Sequence, residues 1–168
     1  TLLEPEHEML KHKLPEITAE TEPESRQELL DNMIETMKHY GGIGLSANQC
    51  GIPIRMFVFG DNENYVPCFN PRIISTSEKK IPIEEGCLTY PGLFIKIFRP
   101  ESVTMTFEDE NRELHEETFT ELMARVVLHE MDHMDGIDFT SRATYMALNM
   151  AKRKRLRGMR KLKKMQES

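Results

Sequence analysis

Apolar residues recur at helical spacing in separate stretches of this chain, and between them they alternate with polar residues or run together in short bursts. A short helix is expected within Thr1–Leu14, followed by a loop over Glu16–Glu24 marked by Pro15, Pro23 and several acids. Leu29, Leu30, Met33, Ile34 and Met37 then keep a 3.6-residue period, with Ser25 and Glu28 at capping-box spacing before them and Gly41 and Gly42 after them. This spacing predicts a helix. Short strands are expected at Met56–Phe59, Arg72–Ser75, Lys80–Ile83 and Leu93–Phe98, each bounded by Pro, Gly, Asn or Asp. Val103, Met105 and Phe107 alternate with polar neighbours, and a polar EDEN stretch follows, so Ser102–Phe119 reads as an antiparallel hairpin. From Leu122 the period lengthens again into a largely apolar helix reaching about Met134, and so much apolar surface places it at the centre of the fold. A last helix is expected over Ser141–Lys164. Strands and helices do not alternate regularly. The class is therefore α+β: short antiparallel sheets packed around a central helix, with an N-terminal helix and a basic C-terminal one.

With 168 residues, 39% of them hydrophobic and 30% charged, the chain fits one domain, and no apolar run is long enough to span a membrane. Cys50, Cys68 and Cys87 are too few and too scattered for a disulfide framework, which suits a reducing compartment. The opening TLLEPEHEML has acids and proline where an export signal needs a basic start and an apolar stretch, so an intracellular location is expected. The net charge of −6 is unevenly distributed. From Ala151 to Ser168 there are nine Lys or Arg against one acid, a net +8, whereas residues 1–150 carry 13 basic against 27 acidic groups, a net −14. Two readings of the tail stay open: a solvated helix end held near the acidic body, or attraction to a polyanion. In the second, contact with RNA, ribosome or an anionic membrane face runs through the tail and weakens with salt.

The strongest chemical signal is His129-Glu130-Met131-Asp132-His133 on the apolar helix. Residues four apart lie one turn above each other, so both imidazoles reach one metal while Glu130 stands beside its water. Imidazoles and acids in so apolar a helix are costly to bury unless a metal or hydrogen bonds compensate them. Asp132 is expected to be exposed or structurally paired. A catalytic site wants a third protein ligand and an open position. Past His133 the chain has no histidine, and its only acids are Asp135, Asp138 and Glu167, which weakens a zinc-protease reading. Cys87, just after Gly86 and between predicted strands, is the better third ligand, with Cys50 and Cys68 left to the core. The run Gly41 to Gln49 suggests backbone close to a ligand, yet it fits neither a phosphate loop nor a dinucleotide fingerprint. On residues alone, a peptidase, a structural metal site completed by Cys50 or Cys68, and a Cys87 nucleophile remain alternatives.

Taken together, GIGLSANQ at Gly42–Gln49, EGCLT at Glu85–Thr89 and HEMDH at His129–His133 resemble the three ordered motifs of the peptide deformylase family. The resemblance covers most of Thr1–Thr140 as a catalytic domain, with 141–168 a basic helical extension of it. It implies an enzyme that removes formate from the formyl-methionine of nascent polypeptides. By that resemblance Cys87, His129 and His133 bind one divalent metal, Fe²⁺ in the cell, with Zn²⁺ or Ni²⁺ in purified protein. Glu130 is the catalytic glutamate, and the Gln49 side chain and Leu88 N–H are oxyanion donors. Ile43, Gly44, Gly86, Leu122 and Val126 contact the substrate, and Glu85 pairs with Arg99 behind the cysteine loop. Thr89 replaces a usual serine, Leu128 a frequent glutamine and Glu121 a frequent glycine, while Phe94 stands where some members carry a substrate-binding arginine. The implied partners are formyl-methionyl nascent chains and, through the tail, the ribosome, with no DNA and no membrane span. The implied compartment is a cytoplasm of bacterial type, an organelle or a virus-infected cell remaining open.

Overall fold

In the computed structural model, which describes residues 1–61 and 64–166, the Ser25 hydroxyl accepts a hydrogen bond from the Glu28 N–H at 3.1 Å and starts helix α1 (Arg26–His39). Leu30, Met33 and Met37 are its buried stripe, and Gly41, at φ +70°, turns the chain away after Tyr40. The helix predicted near the N-terminus is a single 3₁₀ turn, Glu8–Lys11.

Among the described residues seven strands follow α1: β1 (Gly44–Ser46), β2 (Met56–Asp61), β3 (Asn64–Thr76), β4 (Lys80–Gly86), β5 (Phe94–Pro100), β6 (Ser102–Glu108) and β7 (Leu114–Thr120). All pairings are antiparallel, in a five-stranded sheet of order β1-β2-β3-β6-β7 and a separate β4-β5 ribbon. The 13-residue β3 is far longer than the predicted Arg72–Ser75, because Pro67 and Pro71 mimic strand ends. Pro67 pairs with Val58 on β2 in the half of β3 before the pairing with β6 begins at Phe69, and Pro71 lies in the register shift between Phe69 and Arg72. Proline is tolerated where no ladder bond is asked of its nitrogen.

Helix α2 (Glu121–Met134) is buried continuously from Ala124 to Met134, as its apolar sequence predicts. One face meets Phe57, Phe59, Val103, Met105 and Phe107 of the large sheet, and the other turns toward β5 and the ribbon. Its first residue, Glu121, has φ +51°, the left-handed region that favours the glycine frequent in the family pattern. The predicted last helix begins later than Ser141. Asp138 accepts from the Thr140 N–H and caps a 3₁₀ turn, Phe139–Arg142, Ala143 is extended, and α3 (Tyr145–Gln166) then starts afresh. Ala147, Leu148 and Ala151 seat α3 on Leu93, Ile95 and Ile97, and the basic remainder is largely solvent-exposed. No described helix is long and apolar enough to cross a membrane.

Candidate metal centre

Three elements converge beside α2. The glycine-rich run Gly41–Gln49, for which no strand was expected, is in part strand: β1 pairs with β2 and leads into a 3₁₀ turn, Ala47–Cys50, that carries Gln49. Ser46 fixes this side chain, its N–H and hydroxyl donating to Gln49 Oε1 at 3.0 and 2.9 Å. The amide nitrogen is thereby turned outward, 3.0 Å from Thr89 Oγ1 and 3.6 Å from Cys87 Sγ. Asn48 ties the same turn to α2 by donating to the His133 carbonyl at 2.9 Å.

Cys87 follows β4 directly, and its sulfur lies 3.4 Å from His133 Nε2. One ligand atom from each of Cys87, His129 and His133 falls within 4.8 Å of the others, and all three are soft or borderline donors suited to a transition metal. Cys68 sits in the core between the large sheet and α2, and Cys50 packs with the cluster beneath α1, so neither joins that donor group. A closed four-ligand structural site lacks its fourth side chain among the described residues. Glu130 completes the fit. Its Oε2 is buried and has no hydrogen-bond partner among the described residues, a costly state that a water or ion in the adjoining cavity relieves. Burial pushes the Glu130 carboxyl up to about 7 and holds the His133 imidazole well below its usual value; burial also opposes a charge on His129, but its contacts with Cys87 and Glu85 outweigh it and raise that imidazole to about 10.

Behind the histidines lies a buried charge cluster. Glu85 accepts from Arg99 Nε and Nη2 at 2.6 and 2.9 Å and from Arg125 Nη1 at 2.6 Å, and its Oε2 is 3.1 Å from His129 Nδ1. Burial opposes a charge on Glu85, but the hydrogen bonds from His129, Arg99 and Arg125 outweigh it and hold the carboxyl at about 2. The carboxylate fixes the imidazole's orientation and leaves Nε2 for the centre. The Glu85–Arg99 pair expected from the resemblance is present. Asp132 takes the paired rather than the exposed alternative: only 5% exposed, it is bound by Arg99 and Arg142. Arg125 was not singled out from the sequence, although an arginine one turn before His129 in an apolar helix is itself a signal. Phe139, packed 5.3 Å from the His129 ring, carried no signal.

A cavity of about 560 Å³ opens onto this corner. Ile43, Gly44, Gln49, Gly86, Leu88, Leu122, Val126, His129, Glu130 and Cys87 all border it, whereas His133 lies deeper. Ile43 and Leu122 are partly exposed at the opening, and Phe94 closes over Gly86, where an added β-carbon would come within 2.6 Å of its ring. At Gly44 an added β-carbon would fall 2.5 Å from Glu130 Oε1, so only glycine lets β1 approach the glutamate this closely.

The sequence profile described as polypeptide deformylase matches residues 1–149. A peptide deformylase of Christiangramia forsetii is 36% identical over 145 residues, covering 76% of this chain and 74% of that protein. One from Chlorobaculum parvum is 38% identical over 140 residues, covering 76% and 74%. Among solved structures, the Plasmodium falciparum deformylase superposes with a TM-score of 0.84 at 27% identity, covering 97% of each chain. The Synechococcus elongatus deformylase in complex with actinonin gives 0.84 at 30% identity, covering 92% of this chain and 85% of that one.

Proposed function

Because the chain belongs to the polypeptide deformylase family, a metalloenzyme family that removes the formyl group from nascent polypeptides, we propose that Cys87, His129 and His133 hold its ion and that Glu130, Gln49 and Leu88 carry out its chemistry. When bound, a divalent ion supplies Lewis acidity, polarising the formyl carbonyl and acidifying water from a pKa of 15.7 toward about 7. Glu130 takes the proton of the attacking water and later delivers it to the departing amine. Burial, which raises the proton affinity of the Glu130 carboxyl, suits it to both accepting and returning the proton. The Gln49 amide and the Leu88 N–H donate to the oxygen on which negative charge collects. Ser46 holds Gln49 in place beforehand, so that interaction costs little reorganisation as the charge develops.

The methionine side chain occupies the cavity between Val126, Leu122 and Gly86, and the peptide backbone runs along Ile43 and Gly44. The ion in the cell is Fe²⁺, with Zn²⁺ and Ni²⁺ accepted by the same thiolate and imidazole donors. Residues 1–140 form the catalytic domain and 141–168 its helical extension, whose basic face meets the ribosome. A reduced thiol ligand and a substrate that exists only where chains are synthesised support a cytoplasmic location.

The observation that carries this reading is the convergence of one thiol and two imidazoles beside a buried glutamate with an unpartnered oxygen. The experiment is formate release from a formyl-methionyl tripeptide, with and without chelator. Release that chelator abolishes and added metal restores is expected; cleavage of unformylated peptides without formate production would contradict it.

A further inference from the structure

The buried charge cluster does not stop at Glu85. It continues to the protein surface as one hydrogen-bonded ladder. Arg99, which forks onto Glu85, also donates through Nη1 to Asp132 Oδ2 at 2.6 Å and to the Leu128 carbonyl at 3.3 Å. Arg142 closes the outer end, donating through Nη2 to Asp132 Oδ1 at 2.6 Å and through Nε to Oδ2 at 3.2 Å. Arg99, Glu85, Asp132 and Arg125 have side chains almost wholly buried, but that of Arg142 is 46% exposed. The ladder therefore runs from solvent to His129 Nδ1 with a single half-exposed member.

We propose that Arg142, remote from the substrate cavity, is a positioning residue for the metal site, holding the His129 imidazole in its ligating orientation through Asp132, Arg99 and Glu85. This rests on the reading above that His129 is a metal ligand. The physical argument is a competition for Arg99. While Arg142 neutralises Asp132, Arg99 is free to give both arms of its fork to Glu85. Without Arg142, Asp132 keeps Arg99 as its one cationic partner in the cluster, and a buried carboxylate in that state draws the guanidinium toward itself. Glu85 then loses part of its support, and the imidazole it orients is held less firmly. Arg142 comes from the 3₁₀ turn just ahead of α3, so the site depends on a segment that contributes no ligand.

The test uses the full chain loaded with one Zn²⁺ and follows transfer of the ion to a chromophoric chelator. Arg142→Gln should release Zn²⁺ ~10-fold faster than the parent, the lower end of what losing an outer partner of a metal-ligating histidine costs. Arg142→Lys should restore part of the difference. In an Asp132→Asn background, adding Arg142→Gln should change release less than twofold, because the path is already broken. Arg72→Gln, which removes an exposed pair with Glu16 elsewhere on the surface, should leave release unchanged. Arg142→Gln releasing within twofold of the parent, or acting in full on top of Asp132→Asn, overturns the proposal. If Asp132→Asn does not fold, the Gln and Lys variants of Arg142 decide alone. His129→Ala separates the two layers. Tight Zn²⁺ retention in that variant overturns the metal reading itself, whereas loss of Zn²⁺ there with unchanged release from Arg142→Gln overturns only the ladder.

Discussion

Gln49 and Glu130 face the cavity because small neighbours place them. Ser46 takes both lone-pair directions of Gln49 Oε1, so the amide nitrogen has one direction left, toward Cys87 and Thr89. Gln49→Leu should lower kcat/KM for a formyl-methionyl peptide by ~100–1,000-fold with metal content unchanged, the usual cost of one lost oxyanion donor. A near-normal rate at full metal loading would remove Gln49 from the chemistry. Gly44→Ala acts on the opposite wall. Its methyl would fall on Glu130 Oε1, and moving a proton-transfer group by a fraction of an ångström should cost roughly 10–100-fold in kcat, read by the same assay. At this scale the sequence was informative where chemistry and spacing coincide, as in His129, Glu130 and His133 on one helix. It was less informative for Asp132, whose partners Arg99 and Arg142 lie 33 and 10 residues away and meet it only in the folded chain. Arg125 escaped notice for the same reason, since its acceptors are Glu85 and the carbonyls of Ile81 and Ile97.

Among the elements, α2 carries a local conflict at its first residue. A non-glycine residue at φ +51° costs about 1–2 kcal/mol, and the freedom glycine adds to the unfolded chain returns roughly 0.5–1 kcal/mol of that. Glu121→Gly should therefore raise Tm by about 1–3 °C in thermal unfolding, and a fall of that size would show the strain to be absorbed elsewhere. The β6–β7 hairpin carries a titrating pair, His115 Nε2 lying 2.8 Å from Asp109 Oδ2. That hydrogen bond raises the His115 pKa above its usual value, so the stability it lends is fully present below the unfolded pKa near 6.5 and is lost as pH rises through the folded one. Asp109→Asn should bring the His115 titration, followed by NMR, back toward the ordinary value; an unmoved titration would contradict the pairing. The elements themselves were legible where one physical signal dominated, as in the capped, periodic α1 and the apolar α2. They were misread where proline marked a bulge rather than an end, in β3, and where the strand was only three residues long, in β1.

For the whole molecule, charge divides the work. Residues 1–150 carry a net −14 and residues 151–168 a net +8, so attraction to a phosphate-rich partner concentrates along α3. Removing residues 152–168 leaves Ala147, Leu148 and Ala151 seated on β5. It should leave formate release from a free tripeptide unchanged while weakening sedimentation with ribosomes, and raising the salt concentration should do the same to the intact chain. Equal, salt-insensitive binding by both would remove the tail from any such contact. The α+β class and the order of the motifs could be read before folding, because each motif is local; the junction of β1, the Cys87 turn and α2 was expected only from Cys87 as a candidate third ligand and from the family resemblance, because long-range packing rather than any local pattern makes it. That junction is the central claim, and anomalous scattering at the absorption edge of the loaded metal tests it most directly. The account predicts one ion per chain, bonded to Cys87 Sγ and the imidazoles of His129 and His133, with a further position open to the cavity. An ion bound elsewhere, or enclosed by a fourth protein side chain, would contradict it.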